Sequence, residues 1–286
     1  MLDRVLVPLD DAPGAEAVLP ELARYTHRKS MVSLLHVAPA PEGPEGKRSI
    51  HHLTRVVQAQ SYLDSVRKKF PRVRGRNIVE SGDPATRIVQ AALQLDVAVI
   101  AMASHSASET GLQEPGNVLL DVLRRSWVPV LTVSPNNPVR TGRARRILVP
   151  LTESADSTRV LEFAAGLARA VRAELILLHV SPWLSPPETS SGNGASHRDV
   201  APSLHRLVLK MRDRDVQSRF FSAAGDPVWE IRDYARALEV DLIAVGVSSP
   251  DGAGSWVAEL LRTAETPVLV RRALSASARN PQSTAS

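Results

Sequence analysis

The chain repeats itself at a nearly constant offset, and that repeat governs every other reading of it. Pro8 and Pro150 stand 142 residues apart, while His36 and His179, Gly82 and Gly225, and Ala103 and Gly246 are each 143 apart. Gly116 and Gly254, like Pro129 and Pro267, are 138 apart, so five residues (143 − 138) are missing from a loop of the second copy. A period this long is the duplication of a whole domain and not a solenoid repeat.

Each copy alternates short apolar runs with stretches of helical period. Arg4, Val5, Leu6, Val7, Pro8, Leu9 and Asp10 are echoed by Arg146, Ile147, Leu148, Val149, Pro150, Leu151 and Thr152, and a second run ends Leu-His-Val at Val37 and again at Val180. Helical period follows the first run, with Ala17, Leu19, Leu22 and Ala23 in one copy and Val160, Leu161, Ala164, Leu167 and Ala168 in the other. Gly82-Asp83-Pro84 and Gly225-Asp226-Pro227 each close a strand and open a helix, with proline near the first helical position and aspartate in the capping position. Apolar strands separated by helices predict an α/β fold: two doubly wound domains, each with a five-stranded parallel sheet flanked by helices. The boundaries expected are residues 1–135 and 146–272 for the domains, 136–145 for a linker, and 273–286 for a disordered tail. The last strands, opened by Pro129 and Pro267, should pair with each other and so protect two sheet edges, giving an intramolecular pseudo-dimer or a homodimer of it.

With 286 residues, 43% apolar and 23% charged, the chain has enough material for two cores and no apolar run long enough for a membrane span. The absence of cysteine excludes disulfides, thiol catalysis and thiolate metal sites, and a cytoplasmic location is expected. The net charge of +5 is carried by dispersed arginines, and aromatics make up only 4%, which argues against a nucleic-acid surface.

One stretch in each copy has the makings of an anion site. Residues 96–133 read as a strand, a polar loop ending at Gly116, a helix from Asn117 and a strand opened by Pro129; residues 241–270 repeat the pattern around Gly254 and Ser255. A helix N-terminus fed by a glycine loop offers unpaired N–H groups and a favourable dipole to phosphate.

These landmarks, in this order and twice over, resemble the universal stress protein family in a tandem two-domain form. The resemblance implies an adenine nucleotide α-hydrolase-like fold and dimerisation through the last strand. In some members it implies ATP, with Mg²⁺, held by a loop patterned G-x2-G-x9-G-[ST] and by an aspartate and a valine at the adenosine side. On that pattern Pro8, Asp10 and Val37 match the adenosine side, and Ala103, Ser106, Gly116 and Asn117 occupy the loop positions with the nine-residue spacing kept. Ala103 and Ser106 stand where the first two glycines belong. In the second copy Gly246, Gly254 and Ser255 match, but Ser249 replaces the middle glycine, Thr152 replaces the aspartate, and the loop is short. A Cβ at such positions obstructs close approach of phosphate to the backbone.

Other residues have plainer readings. His36 and His179 end buried strands and are expected to pack or hydrogen-bond; His105 is expected to be an exposed loop residue; His51 and His52 lack metal-ligand spacing and are expected to be solvated. Asp10 caps its loop or meets a ribose, and Asp11 faces water. Trp127 and Trp256 are core or interface residues, with the Trp256 ring placed to fill part of the second nucleotide space. No nucleophile, base and orienting group come together in the sequence, so an enzyme is not expected. Two functions remain: a stress-response regulator binding ATP in the first domain, and a nucleotide-free scaffold that docks on a protein partner.

Overall fold

A computed structural model of the protein describes residues 2–12, 14–40, 50–71, 74–104, 117–138, 140–151, 155–181, 211, 215–247 and 256–272. The first half runs β1 (Arg4–Pro8), a 3₁₀ turn (Ala15–Ala17), α1 (Val18–Leu22), β2 (Met31–Ala38), α2 (Ile50–Lys69), β3 (Asn77–Ser81), α3 (Pro84–Gln94), β4 (Val99–Ala103), α4 (Asn117–Arg125) and β5 (Val130–Val133). The second half runs β6 (Arg146–Leu151), α5 (Ala155–Val171), β7 (Glu174–Ser181), β8 (Ser218–Ala224), α6 (Pro227–Ala237), β9 (Leu242–Val247), α7 (Trp256–Thr263) and β10 (Val268–Arg272).

The two sheets are one. Ten strands lie in the order β3-β2-β1-β4-β5-β10-β9-β6-β7-β8. Strands are parallel within each half, and β5 meets β10 antiparallel in the middle, with Leu131 opposite Leu269. The expected pairing of the last strands is therefore present, and each half hides the edge that the other would have exposed. Two apolar layers sandwich the sheet. One, under α1, α2 and α5, takes in Val5, Val7, Leu34, Leu131, Leu175 and Leu269; the other, under α3, α4, α6 and α7, takes in Leu6, Leu35, Ile100, Val130, Ile176 and Val268. Alternate residues of each strand enter opposite layers, as the pleat requires.

Local chemistry repeats along with the sequence. The Asp83 carboxylate accepts the Thr86 N–H at 2.8 Å and the Asp226 carboxylate accepts the Trp229 N–H at 2.8 Å, so both cap as expected. Gly82 and Gly225 hold φ of 131° and 156°, a region open to glycine, and this lets the chain turn from strand into cap. After α3 and α6 the chain reverses through left-handed Asp96 and Glu239, whose side chains pair with Arg4 and Arg146 respectively.

The halves differ in the length of one element, and one expectation, that His52 is solvated, changes. The first helix is far shorter in the first half than in the second, five residues against seventeen. Pro20 supplies no N–H to the helix, and the chain continues through tight turns in which Arg24 and Tyr25 donate to Glu21 and Leu22 three residues back. His52 is not solvated: it is 8% exposed, with Nε2 3.4 Å from Ser81 Oγ, because it lies on the face of α2 that also carries the buried Ala59, Leu63 and Val66; His51 is exposed.

Candidate functional site

The strand order of the first half reverses between β1 and β4, and in open α/β sheets such a switch point leaves a crevice at the carboxyl ends of the strands. A cleft of about 360 Å³ lies there. Pro8 closes β1, Val37 comes from β2, Ala103 ends β4, Asn117 begins α4, and Asp10 stands just beyond β1; all five line the cleft. These five candidate residues are scattered over more than a hundred positions of sequence and converge on one space.

The cleft is apolar in its depth and polar at its mouth. Leu35, Ile88, Met102 and Leu119 are buried and form the floor, while Asp10 and Asn117 are exposed. Leu9 donates its N–H to Leu35 C=O at 2.8 Å and Ser104 donates to Val133 C=O at 2.9 Å, so the strand ends bordering the cleft are held in register beyond the last paired residues. Asp10 Oδ1 accepts the Ala12 N–H at 3.4 Å, a long bond that leaves most of the carboxylate free. Gly14, at φ 90°, turns the chain back toward Ala15 on the cleft wall; a Cβ there would sit 2.8 Å from the Pro135 ring. Asn117 opens a nine-residue helix whose first N–H groups have no intrahelical partner. An apolar slot, a carboxylate at the rim and a helix N-terminus together suit a ligand with a flat apolar part, hydroxyl groups and an anionic end. Among the described residues no group of three or more His, Asp or Glu stands ready to hold a metal ion.

Of the remaining candidates only Gly246 is among the described residues. Ser106 and Gly116, together with His105, lie outside the described residues. So do Thr152, Ser249, Gly254 and Ser255 of the second copy, the 182–198 loop and the 273–286 tail. Gly246 is described: it lies half-buried in β9, paired with Arg271 of β10, at the position that Ala103 takes in the first half. Trp256, the first residue of α7, packs half-buried against the second apolar layer.

One cluster of functional groups escaped the sequence reading. Glu21, Arg24 and Tyr25, at the end of α1, meet Asp241 at the start of β9, buried between the halves. The second half has no such set: α5 presents the buried apolar Ala164, Leu167 and Ala168, and Ala98 stands 143 residues before Asp241. Subtracting one copy from the other would have marked them.

The model of the universal stress protein family matches residues 1–134 and 143–272. No curated protein matches the chain significantly. Among solved structures, a universal stress protein from Archaeoglobus fulgidus DSM 4304 superposes with a TM-score of 0.72 at 20% identity, over 94% of this chain and 96% of that one. A Pseudomonas aeruginosa UCBPP-PA14 protein described as a universal stress protein gives 0.59 at 14% identity, over 95% and 93%. A shorter universal stress protein of Archaeoglobus fulgidus, determined in complex with dAMP, matches 44% of this chain and 96% of its own at 22% identity, with a TM-score of 0.35. Matched in both halves by the family model, the chain belongs to the universal stress protein family.

Proposed function

We propose that the protein is a non-catalytic regulator of a stress response that senses an adenine nucleotide in the cleft of its first half. The observation that carries this reading is the convergence of Pro8, Asp10, Val37, Ala103 and Asn117 on one apolar-floored cleft at the switch point of the sheet. The base fits the slot over Leu35, Ile88 and Met102, Asp10 accepts from a ribose hydroxyl, and the phosphates reach the N-terminus of α4 beside the Asn117 amide. Mg²⁺ bound with the phosphates would be held chiefly by them and by water, because no carboxylate cluster is present among the described residues. The cleft volume lies at the lower end of the roughly 300–1,000 Å³ typical of ligand sites, which suits a nucleotide whose phosphates extend outward.

Native mass spectrometry of freshly purified protein, followed by calorimetric titration with Mg-ATP, tests the reading. Bound nucleotide, or saturable heat that Ala103→Leu abolishes, is the expected result. A folded protein that carries no nucleotide and gives no heat with Mg-ATP, AMP or ADP overturns it. The protein would then be read as a scaffold that docks on a protein partner.

A further inference from the structure

Behind the nucleotide cleft, on the other face of the sheet, lies a second cavity. The pleat of β2 sends Val37 into the cleft under α3 and α4 and His36 to the side covered by α2. The loop after β1 divides in the same way, with Asp10 on the first space and Asp11 on the second. This second cavity, of about 320 Å³, is lined by Asp11, His36, Arg55, Gln58 and Tyr62 among others.

Asp11, Arg55 and Gln58 are exposed at its mouth, His36 and Tyr62 lie half-buried within it, and Ala38, Pro39 and Ala59 complete the wall. The side chains of Asp11, Arg55, Gln58 and Tyr62 make no hydrogen bond or ion pair with any described residue, and Asp11 and Arg55 do not pair with each other although they open on the same space. His36 Nδ1 is buried and has no hydrogen-bond partner, while its ring stands edge-on to Tyr62 with centroids 6.2 Å apart. A buried imidazole nitrogen left unpaired is costly, and folded chains ordinarily satisfy such atoms. Burial, and behind it the carboxylates of Glu16, Asp10 and Asp11, push the Tyr62 phenol up to about 12, so it stays protonated and able to donate.

The charges define the ligand. One unpaired carboxylate and one unpaired guanidinium facing a single small cavity call for a molecule that brings one ammonium and one carboxylate. A dianion would leave Asp11 repelled and a dication would leave Arg55 repelled. We propose that this cavity binds a small zwitterion of the α-amino acid class, its ammonium on Asp11, its carboxylate on Arg55, and its remaining polar atoms on Tyr62, Gln58 and His36 Nδ1.

The test uses full-length protein and an equimolar mixture of the twenty common amino acids as the probe, read out through the His36 ring resonances by NMR, assigned with His36→Asn. Expected is a saturable shift of the His36 signals with the free amino acids. The same mixture N-acetylated, which lacks the ammonium, should act roughly tenfold more weakly, the ratio that one charged hydrogen bond supplies. Arg55→Gln should weaken the response to the free amino acids by a similar factor, and Arg55→Lys should restore part of it. Arg55 is exposed on α2, so the rest of the spectrum should stay unchanged and show that the variants fold. Two outcomes overturn the proposal: His36 signals indifferent to the free amino acids, or equal shifts with free and acetylated mixtures.

Discussion

Arg24 of the first half and Asp241 of the second form an ion pair whose side chains are only 4% and 9% exposed. Around it the Arg24 guanidinium donates to Glu21 at 3.0 Å and to Gly142 C=O at 3.3 Å, while Asp241 Oδ2 accepts the N–H groups of Arg145 and Arg146 at 2.6 and 3.0 Å. The Tyr25 hydroxyl lies 2.9 Å from Glu21 and 3.0 Å from the Asp241 carbonyl. One carboxylate thus ties α1, the linker and the start of two strands of the other half into a single polar knot.

Removing one partner of a buried pair leaves the other charged and unpaired. Arg24→Ala should therefore destabilise the fold by about 3–5 kcal/mol. Arg24→Leu combined with Asp241→Leu should cost less than the two single changes added together, because the ion pair is removed as a unit. Urea unfolding of the four proteins measures the coupling. Strict additivity would mean that the two side chains do not depend on each other.

Glu21 and Asp241 share this guanidinium and respond to pH in opposite senses. Burial, the largest influence on Glu21, lifts its carboxyl above 4.5 against the pull of Arg24 and Tyr25. Burial also pushes Asp241 up, but the Arg24 hydrogen bond and the Arg145 and Arg146 N–H groups together outweigh it and hold the carboxyl below 3.8. From pH 4.5 up to the raised value of Glu21 the folded chain keeps a proton that the unfolded chain has released, so stability falls as pH rises through that window. Asp241 contributes stability above pH 3.8 and loses it as pH falls through its lowered value. Glu21→Gln should flatten the fall on the alkaline side of 4.5 and leave the acid loss in place. Urea midpoints across that range decide it; curves for the two proteins that stay parallel above pH 4.5 would remove Glu21 from the account.

The parts of this molecule legible in the sequence are those the duplication wrote twice. The apolar runs from Val5 to Val7 and from Ile147 to Val149, the caps at Asp83 and Asp226, and the mutual pairing of the last strands all follow from patterns seen in both copies. So does the cleft: Pro8, Val37 and Ala103 are strand-end positions, and parallel strands bring their carboxyl ends to one edge. What could not be read belongs to one copy alone. Glu21 and Arg24 resemble an ordinary solvated helix face, and only the neighbouring half, brought over them by the β5–β10 seam, makes them buried. The shortness of α1 depends on Pro20, and the burial of His52 depends on how α2 rolls against β3, neither of which a hydrophobic period specifies.

A side-chain bond crosses the seam. Thr132 of β5 is buried and its Oγ donates to Val268 C=O of β10 at 3.0 Å. Thr132→Val keeps the shape and leaves that acceptor without its donor, which should cost about 1–3 kcal/mol. The urea midpoint should fall with the slope unchanged, since both halves would still unfold together. A split into two transitions would show that the halves do not rely on this edge.

Arg272 and Trp127 close the other end of the same seam. The guanidinium of Arg272, the last residue of β10, lies 4.1 Å from the ring centroid of Trp127 in the first half and donates to Arg124 C=O at 2.6 Å. Trp127 is 39% exposed, so the stacking should contribute only about 0.5–1 kcal/mol. Arg272→Ala should lower the urea midpoint slightly and shift Trp127 emission to the red as water replaces the cation. Trp127→Leu serves as the control that isolates this signal from Trp183, Trp229 and Trp256. An unchanged spectrum would place the guanidinium away from the ring.

Asp10 offers the sharpest test of the proposed nucleotide site. Its carboxylate stands at the polar mouth and spends only a long bond on its own loop, so a ribose hydroxyl would be its main partner. Such a partner discriminates between sugars: a site built to accept from a hydroxyl rejects the analogue lacking it, since the carboxylate is then left without its donor. Wild-type protein should bind ATP more tightly than 2′-deoxy-ATP or 3′-deoxy-ATP by roughly tenfold, the worth of one charged hydrogen bond. Asp10→Ala should weaken ATP by the same factor and erase the preference, while Val118→Ala, at the exposed apolar edge of the cleft, should change all three affinities together. Calorimetric titration of the three nucleotides against the three proteins separates the two patterns. If the preference survives in Asp10→Ala, the ribose is read by another group, and Asp10 is only the cap of its own turn.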